Sequence, residues 1–153
     1  MIDEVEVYIR ERQSMVMAMD LDGEVRASTA CYAVGDDMNL YSLVFAGSLK
    51  HRGIAQHPRV SLVIDDGFRI PMRGVEILGT AEFLTGEDRQ YGERLLAERF
   101  PALDCVRDDP RILIVRVTPD RIRYTDWTFA IGRSRETKVV PLRGPARSKL
   151  APA

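Results

Sequence analysis

Apolar residues alternate with polar ones through the middle of this chain. Between Arg59 and Asp65, Val60, Leu62 and Ile64 recur at every second place, and between Met72 and Leu84 so do Val75, Ile77 and Gly79. A two-residue period puts one set of side chains on one face, so both runs predict strands. Ser14–Asp20 (SMVMAMD), Val25–Val34 (VRASTACYAV) and Asn39–Val44 read as strands too. Turn chemistry joins them. Leu21-Asp22-Gly23-Glu24 carries an Asp-Gly hairpin signal, Gly35-Asp36-Asp37 makes a second turn and Asp66-Gly67 a third. Pro71 belongs at an edge or a strand start, where its missing N–H costs nothing. Arg111–Val117 and Arg121–Trp127 predict two more strands, separated by Thr118-Pro119-Asp120.

The period changes in three places. Val5, Tyr8 and Ile9 lie among charges over residues 3–12, a short amphipathic helix. Residues 48–57 predict a second helix, with Ser48 at the N-cap and Pro58 as the stop. Thr85-Gly86-Glu87-Asp88 reads as a capping box opening a third, with Tyr91, Leu95 and Phe100 near one face and Pro101 ending it. The sum is a mostly β fold of six or seven antiparallel strands with two or three peripheral helices, closed as a barrel or packed as a sandwich. A barrel of this size is filled by its own side chains, so a planar ligand would bind outside it or between subunits. The stretch from Pro141 onward (PLRGPARSKLAPA) has no period and is expected to be a disordered tail, leaving 1–140 as one domain.

Composition narrows the function. The 153 residues carry a net charge of -1, with 45% hydrophobic and 29% charged residues, as expected of a soluble globular domain. Near-zero charge and 7% aromatics argue against a nucleic-acid-binding barrel. No apolar run approaches the roughly 20 residues of a membrane span, and the acidic start MIDEVEVYIRER lacks the order of a signal peptide. The cytoplasm is therefore expected. Cys31 and Cys105 fit no zinc spacing and predict no disulfide. His51 and His57, the two histidines, are six apart with no acidic partner to complete a metal set, so no metal site is expected.

The richest stretch runs from Leu40 to Ile64: a strand, a small-residue turn (FAGS), a basic helix, Pro58 and a second strand. Ser48 at the N-cap and Lys50 in the first turn suit a phosphate, because a helix N-terminus offers unpaired N–H groups and partial positive charge. An ordinary capped surface helix with a solvated lysine fits the same residues. Ser28, Thr29, Ala30 and Cys31 form a small-residue strand against which a flat ring could lie, or which a neighbouring element crowds. Gly74 and Gly79 mark a bulge or a close approach in the long strand. Arg73 could meet a phosphate or water, and Trp127 and Phe129 could cover a ligand or fill the core.

Taken together, VRASTACYAV, LYSLVFAGSLKHRGIAQHPRVSLVI and VEILGTAEFL resemble, in that order along the chain, segments of the pyridoxamine 5′-phosphate oxidase-like, FMN-binding split-barrel family. Ser48-Leu49-Lys50 matches the family's Ser-x-Lys, and His57-Pro58-Arg59-Val60 its Asn-Pro-Arg-Val. The resemblance covers residues 3–127. It implies a split β-barrel homodimer with FMN at the subunit interface. It also implies phosphate contacts from Ser48, Leu49 and Lys50, and the Ser28–Cys31 backbone along the isoalloxazine. Val44 and Phe45 would sit beside the ring and ribityl chain, Arg73 and Gly74 at the ring's polar edge, and Trp127 would come from the second subunit.

The departures matter as much. The second strand has only Arg26 where the oxidases carry Arg and Lys, and Val44 stands for a common Thr. Ile131-Gly132-Arg133-Ser134-Arg135, without His, stands for their Arg-Leu-His-Asp-Arg. The resemblance therefore implies a flavin-dependent oxidoreductase on another small molecule, with no catalytic residue assigned. A deazaflavin-dependent reductase, or a flavin or haem carrier without enzymatic activity, is the alternative.

Overall fold

The computed structural model describes residues 2–67, 69, 72–129 and 133–141, with side chains over 4–67, 69 and 72–126. Helix α1 (Ile2–Glu11) leads into strands β1 (Ser14–Leu21), β2 (Glu24–Cys31), β3 (Ala33–Val34) and β4 (Leu40–Phe45). Helix α2 (Leu49–Gln56), strands β5 (Arg59–Asp65) and β6 (Met72–Phe83), helix α3 (Gly86–Arg99) and a 3₁₀ turn (Pro101–Val106) follow. Strands β7 (Ile112–Phe129) and β8 (Arg133–Pro141) complete the fold. All strands join one antiparallel sheet, ordered β2-β1-β5-β6-β7-β4-β3, with β8 also paired to β7. The sheet curls into the expected split barrel. Beyond Pro141 the expected tail lies outside the described residues. No helix among them is long and apolar enough to cross a membrane.

The alternation read from the sequence is the burial pattern of the sheet. Val60, Leu62 and Ile64 on β5 and Val75 and Ile77 on β6 point into the barrel, each at most 4% exposed. Met15, Met17 and Met19 join them from β1 and Met38 from the β3–β4 turn. Val5, Tyr8 and Ile9 of α1 seal one end of this core. A second core holds Tyr41, Ile112 and Ile114 beneath Leu96 of α3. The β1–β2 hairpin has the foreseen two-residue turn, with Asp22 at φ 56° and Gly23 at φ 79°. Both central residues of such a turn need positive φ, which Asp tolerates and Gly adopts freely.

Three local expectations are corrected. The strand expected over Val25–Val34 breaks at Tyr32, whose ring turns into the core. Its N–H bonds to Gln13 O at 3.2 Å and its hydroxyl to Ile9 O at 2.5 Å, so the chain leaves β1 and crosses to β4. The two strands expected around Thr118-Pro119-Asp120 are one strand, β7. Leu78 faces Arg121 while Gly79 faces Pro119, so Asp120 is the extra residue of a bulge, and a bulge tolerates the missing proline N–H. Finally, Thr85 is the N-cap of α3, but its side chain makes no capping bond. The helix begins without the expected box.

Helix α1 is held by charge as well as by its apolar face. Arg12 clasps Asp66 through Nε at 2.7 Å and through Nη2. The Arg12 and Arg73 guanidiniums lie 4.1 and 5.2 Å from the Tyr8 ring centroid, and the Tyr8 hydroxyl donates to Arg73 O at 2.8 Å. Burial alone would push the Asp66 carboxyl up. The Arg12 hydrogen bond and charge, with help from Arg73, hold it below the usual carboxylate range.

Two predictions follow from this packing. A Cβ at residue 79 would stand 2.6 Å from Thr118 O, whereas one at residue 74 would meet nothing nearer than 3.6 Å. Gly79→Ala is thus expected to cost about 1–3 kcal/mol, and Gly74→Ala to stay within about 1 kcal/mol of the parent, on the stabilising side. Equal urea midpoints for the two variants would refute the close approach at the bulge. For Asp66 the folded carboxyl titrates below the unfolded one. Its stabilisation is therefore present above about pH 4 and is lost as pH falls through the lower folded value. Asp66→Asn should be less stable at pH 7 and should lose less on acidification to pH 3; urea midpoints at the two pH values measure this, and an unchanged acid loss would exclude Asp66.

Candidate functional site

Three of the four expected pieces of the site meet at the split in the barrel. Strand β2 is an edge of the sheet and among the described residues pairs only with β1. Cross-strand partners share a face, so Ser28 and Ala30 lie on the core side with Met17 and Met15, and Thr29 and Cys31 on the outer side with Val16 and Ser14. On an edge strand, alternate residues turn both N–H and C=O away from the partner. Two such carbonyls are caught from across the split: Ser42 Oγ of β4 donates to Cys31 O at 2.6 Å, and Lys50 Nζ of α2 donates to Thr29 O at 2.6 Å. No ladder joins β2 to β4 among the described residues.

The start of α2 is built as the sequence predicts. Ser48 is the N-cap, with φ -67° and ψ 167°, and its hydroxyl accepts from His51 N–H at 3.2 Å. The Leu49 and Lys50 N–H groups belong to the first turn, which has no intrahelical acceptors to offer them. His51 is partly buried. Its Nδ1 accepts from Gly47 N–H at 2.9 Å and its ring stands edge-on to Phe83, centroids 5.1 Å apart. The turn is thereby fixed from both sides. Further along α2, Gly53 lets the helix sit on β1: a Cβ there would meet Met19 Cγ at 2.8 Å.

Electrostatics single out Lys50. Its side chain is half-buried, and burial pushes its ammonium below the usual lysine range, with the Cys31 thiol acting the other way. Burial likewise raises the Cys31 thiol, and Lys50 pulls it back. Thr29 O uses one of three ammonium protons, leaving two. Phe45 and Leu49, on either side of the turn, are 48% and 46% exposed and give an apolar border. Val44 differs from expectation. Its side chain is 2% exposed and belongs to the barrel core, so only its backbone is near the site.

The fourth piece lies elsewhere in the sheet. Arg73 and Gly74 open β6, with β1 and β5 between them and β2. Three strand spacings put them on the order of 14 Å from β2 along the sheet. Arg73 Nε, Asp126 Oδ1 and the Tyr124 hydroxyl are buried there without hydrogen-bond partners among the described residues. Arg73 and Asp126 are cross-strand partners, and Arg73 Nε also lies 3.4 Å from Asp66 Oδ2 as an ion pair. Trp127 pairs with Met72 through the backbone; its side chain, and the Ile131–Gly132 part of the departing C-terminal motif, lie outside the described residues. Ser42 is the residue the sequence reading missed. A lone serine in an apolar strand (LYSLVF) was the signal, because buried hydroxyls require a partner.

These residues fit a phosphorylated planar cofactor. A half-buried cation stands at a helix N-terminus, beside a small-residue edge strand with free backbone groups. Among the described residues, no three or more His, Cys, Asp or Glu side chains gather as a metal site would require.

Comparison with known proteins gives the family and the fold. The family model described as pyridoxamine 5′-phosphate oxidase matches residues 1–126. A search of curated proteins finds no match. Among solved structures, a haem-binding protein from Mycobacterium smegmatis is similar in fold (TM-score 0.76, 17% identity, 88% of this chain and 56% of that one). So are HutZ, the haem storage protein of Vibrio cholerae (TM-score 0.68, 16% identity, 76% and 88%), and an FAD-binding protein from Mesorhizobium loti (TM-score 0.69, 18% identity, 87% and 93%). The chain spans little more than half the length of the M. smegmatis protein. The identities are low and the likeness is one of fold, but the family match runs from α1 through most of β7. The chain belongs to the pyridoxamine 5′-phosphate oxidase family of split-barrel proteins.

Proposed function

We propose that this chain is a homodimeric flavoprotein that binds FMN between two split barrels and serves as an oxidoreductase on a small molecule other than pyridoxamine 5′-phosphate. Lys50 carries the reading. A half-buried ammonium at the N-terminus of α2, hydrogen-bonded to Thr29 O, has two protons to give a phosphate and a helix dipole behind it. A phosphate dianion there would offset the desolvation that Lys50 bears. The Ser48 hydroxyl and the Leu49 and Lys50 N–H groups complete the donor set. The outward N–H groups of Thr29 and Cys31 are suited to the edge of a flat ring, and Phe45 to its apolar flank. Bound flavin would supply hydride transfer; the protein's part is to orient the ring and exclude water.

The dimer rests on the outer face of the sheet. Val16 and Val63 are cross-strand partners at 38% and 40% exposure, and Val25 on β2 is 82% exposed. Three valines on one side of a curved sheet favour burial against a second copy. In this reading Arg73, Gly74 and Trp127 enter each site from the partner, at the ring's polar edge.

Two measurements test the reading. Lys50→Ala should weaken FMN by about tenfold or more, from the roughly 1.5–3 kcal/mol of a charge-assisted contact. Titration by quenching of flavin fluorescence reports it, and an unchanged Kd would remove Lys50 from the site. If the parent shows no flavin binding and haem instead gives a Soret band, the FMN reading falls. Val63→Asp should shift the chain from dimer to monomer in sedimentation velocity and weaken FMN with it. A variant that stays dimeric would place the interface elsewhere.

A further inference from the structure

A cleft of about 300 Å³ lies between the C-terminal end of α1, β3 and α3, away from the Lys50 site. That volume suits a small organic ligand. Its lining includes three arginines, Arg10, Arg12 and Arg99, and one acidic residue, Glu98. Ala33, Val34 and Leu95 add apolar surface.

The three arginines are not equivalent. Arg10 pairs with Glu6 at 2.9 Å and spends its Nη groups on Val34 O and Gly35 O. Arg12 is clasped by Asp66 and also reaches Glu11 at 2.9 Å. Arg99 has no carboxylate within 4 Å among the described residues. Its Nη2 donates to Arg10 O at 2.9 Å and Arg12 O at 3.1 Å, carbonyls at the end of α1. Two bonds from one nitrogen fix the plane of the guanidinium. Nε and Nη1 remain; they lie on opposite sides of the guanidinium, so each can give a carboxylate oxygen one charge-assisted hydrogen bond. A partly buried cation held rigid without a counter-ion is an unfinished ion pair.

We propose that this cleft binds a small carboxylate with an apolar body, a short aliphatic or aromatic acid. Its carboxylate pairs with Arg99, and its body lies against Val34 and Leu95. Recognition requires both halves: the charge for Arg99, and the apolar body for the wall that inorganic anions leave unfilled. The site does not depend on a flavin, although Tyr32 follows directly from the Ser28–Cys31 strand and a ligand here would lie near its end.

Isothermal titration of the full-length chain at constant ionic strength tests this with three probes: benzoate, its neutral isostere benzamide, and inorganic phosphate. Benzoate is expected to bind saturably, with benzamide and phosphate each at least tenfold weaker. Arg99→Gln should weaken benzoate tenfold or more. Leu95→Phe, which narrows the cleft without touching charge, should weaken it too, and decides the matter if far-UV circular dichroism shows Arg99→Gln to be misfolded. Benzamide binding as well as benzoate, phosphate binding as tightly as benzoate, or both variants binding like the parent would each overturn the proposal. So would the absence of any benzoate heat up to millimolar concentration. The readout needs no bound cofactor, so a failed flavin titration leaves it intact.

Discussion

Two side-chain hydrogen bonds close this barrel where the sheet does not. The sheet has two ends, and the strand at one of them, β2, has no strand partner on its outer side among the described residues. Ser42 and Lys50 reach across the split and take its Cys31 and Thr29 carbonyls. An unpaired strand edge is a hazard, because free N–H and C=O groups invite another chain. Here two carbonyls are satisfied and the neighbouring N–H groups stay open. The strand is held in place without being covered, which is the condition a flat ligand needs.

The rest of the molecule serves that condition. Strand β4 presents Ser42 because it is buried on both sides, by the barrel core and by the core beneath α3. Helix α2 can present Lys50 only because Gly53 allows it to lie against β1 and His51 pins its first turn. The affinity of this site for an anion is consequently a difference. The ammonium already has one good acceptor, and a phosphate competes for its remaining protons and for relief from burial, not for a free solvated charge. Ser42 has no such second role, and its bond holds Cys31 whether or not a ligand is present.

Much of this was legible in the sequence. A period of two identified β5 and β6 to within a residue, and Val5, Tyr8 and Ile9 marked the buried face of α1. Asp22-Gly23 specified its turn. What was not legible depends on closure and on contacts distant along the chain. Pro119 reads as a break until Gly79 is seen opposite it, since a bulge is a property of two strands. Tyr32 looks like one more strand residue until its hydroxyl finds Ile9 O. Val44 was assigned to the ring by resemblance, but its place in the pleat turns the side chain inward. Thr85 has the right spacing for a capping box and does not form one. Arg99 gave no signal at all, because its importance comes from carbonyls 89 and 87 residues away.

Four methionines, Met15, Met17, Met19 and Met38, are sealed in the barrel core at 4% exposure or less. Unbranched thioethers suit an irregular interior that must fit around a split. They also make the barrel a recorder of its own motion. A thioether becomes a sulfoxide only where oxidant reaches it, and in the closed barrel none does. Oxidation at these four positions would therefore count openings of the sheet, and the order in which they oxidise would map where the closure gives way first.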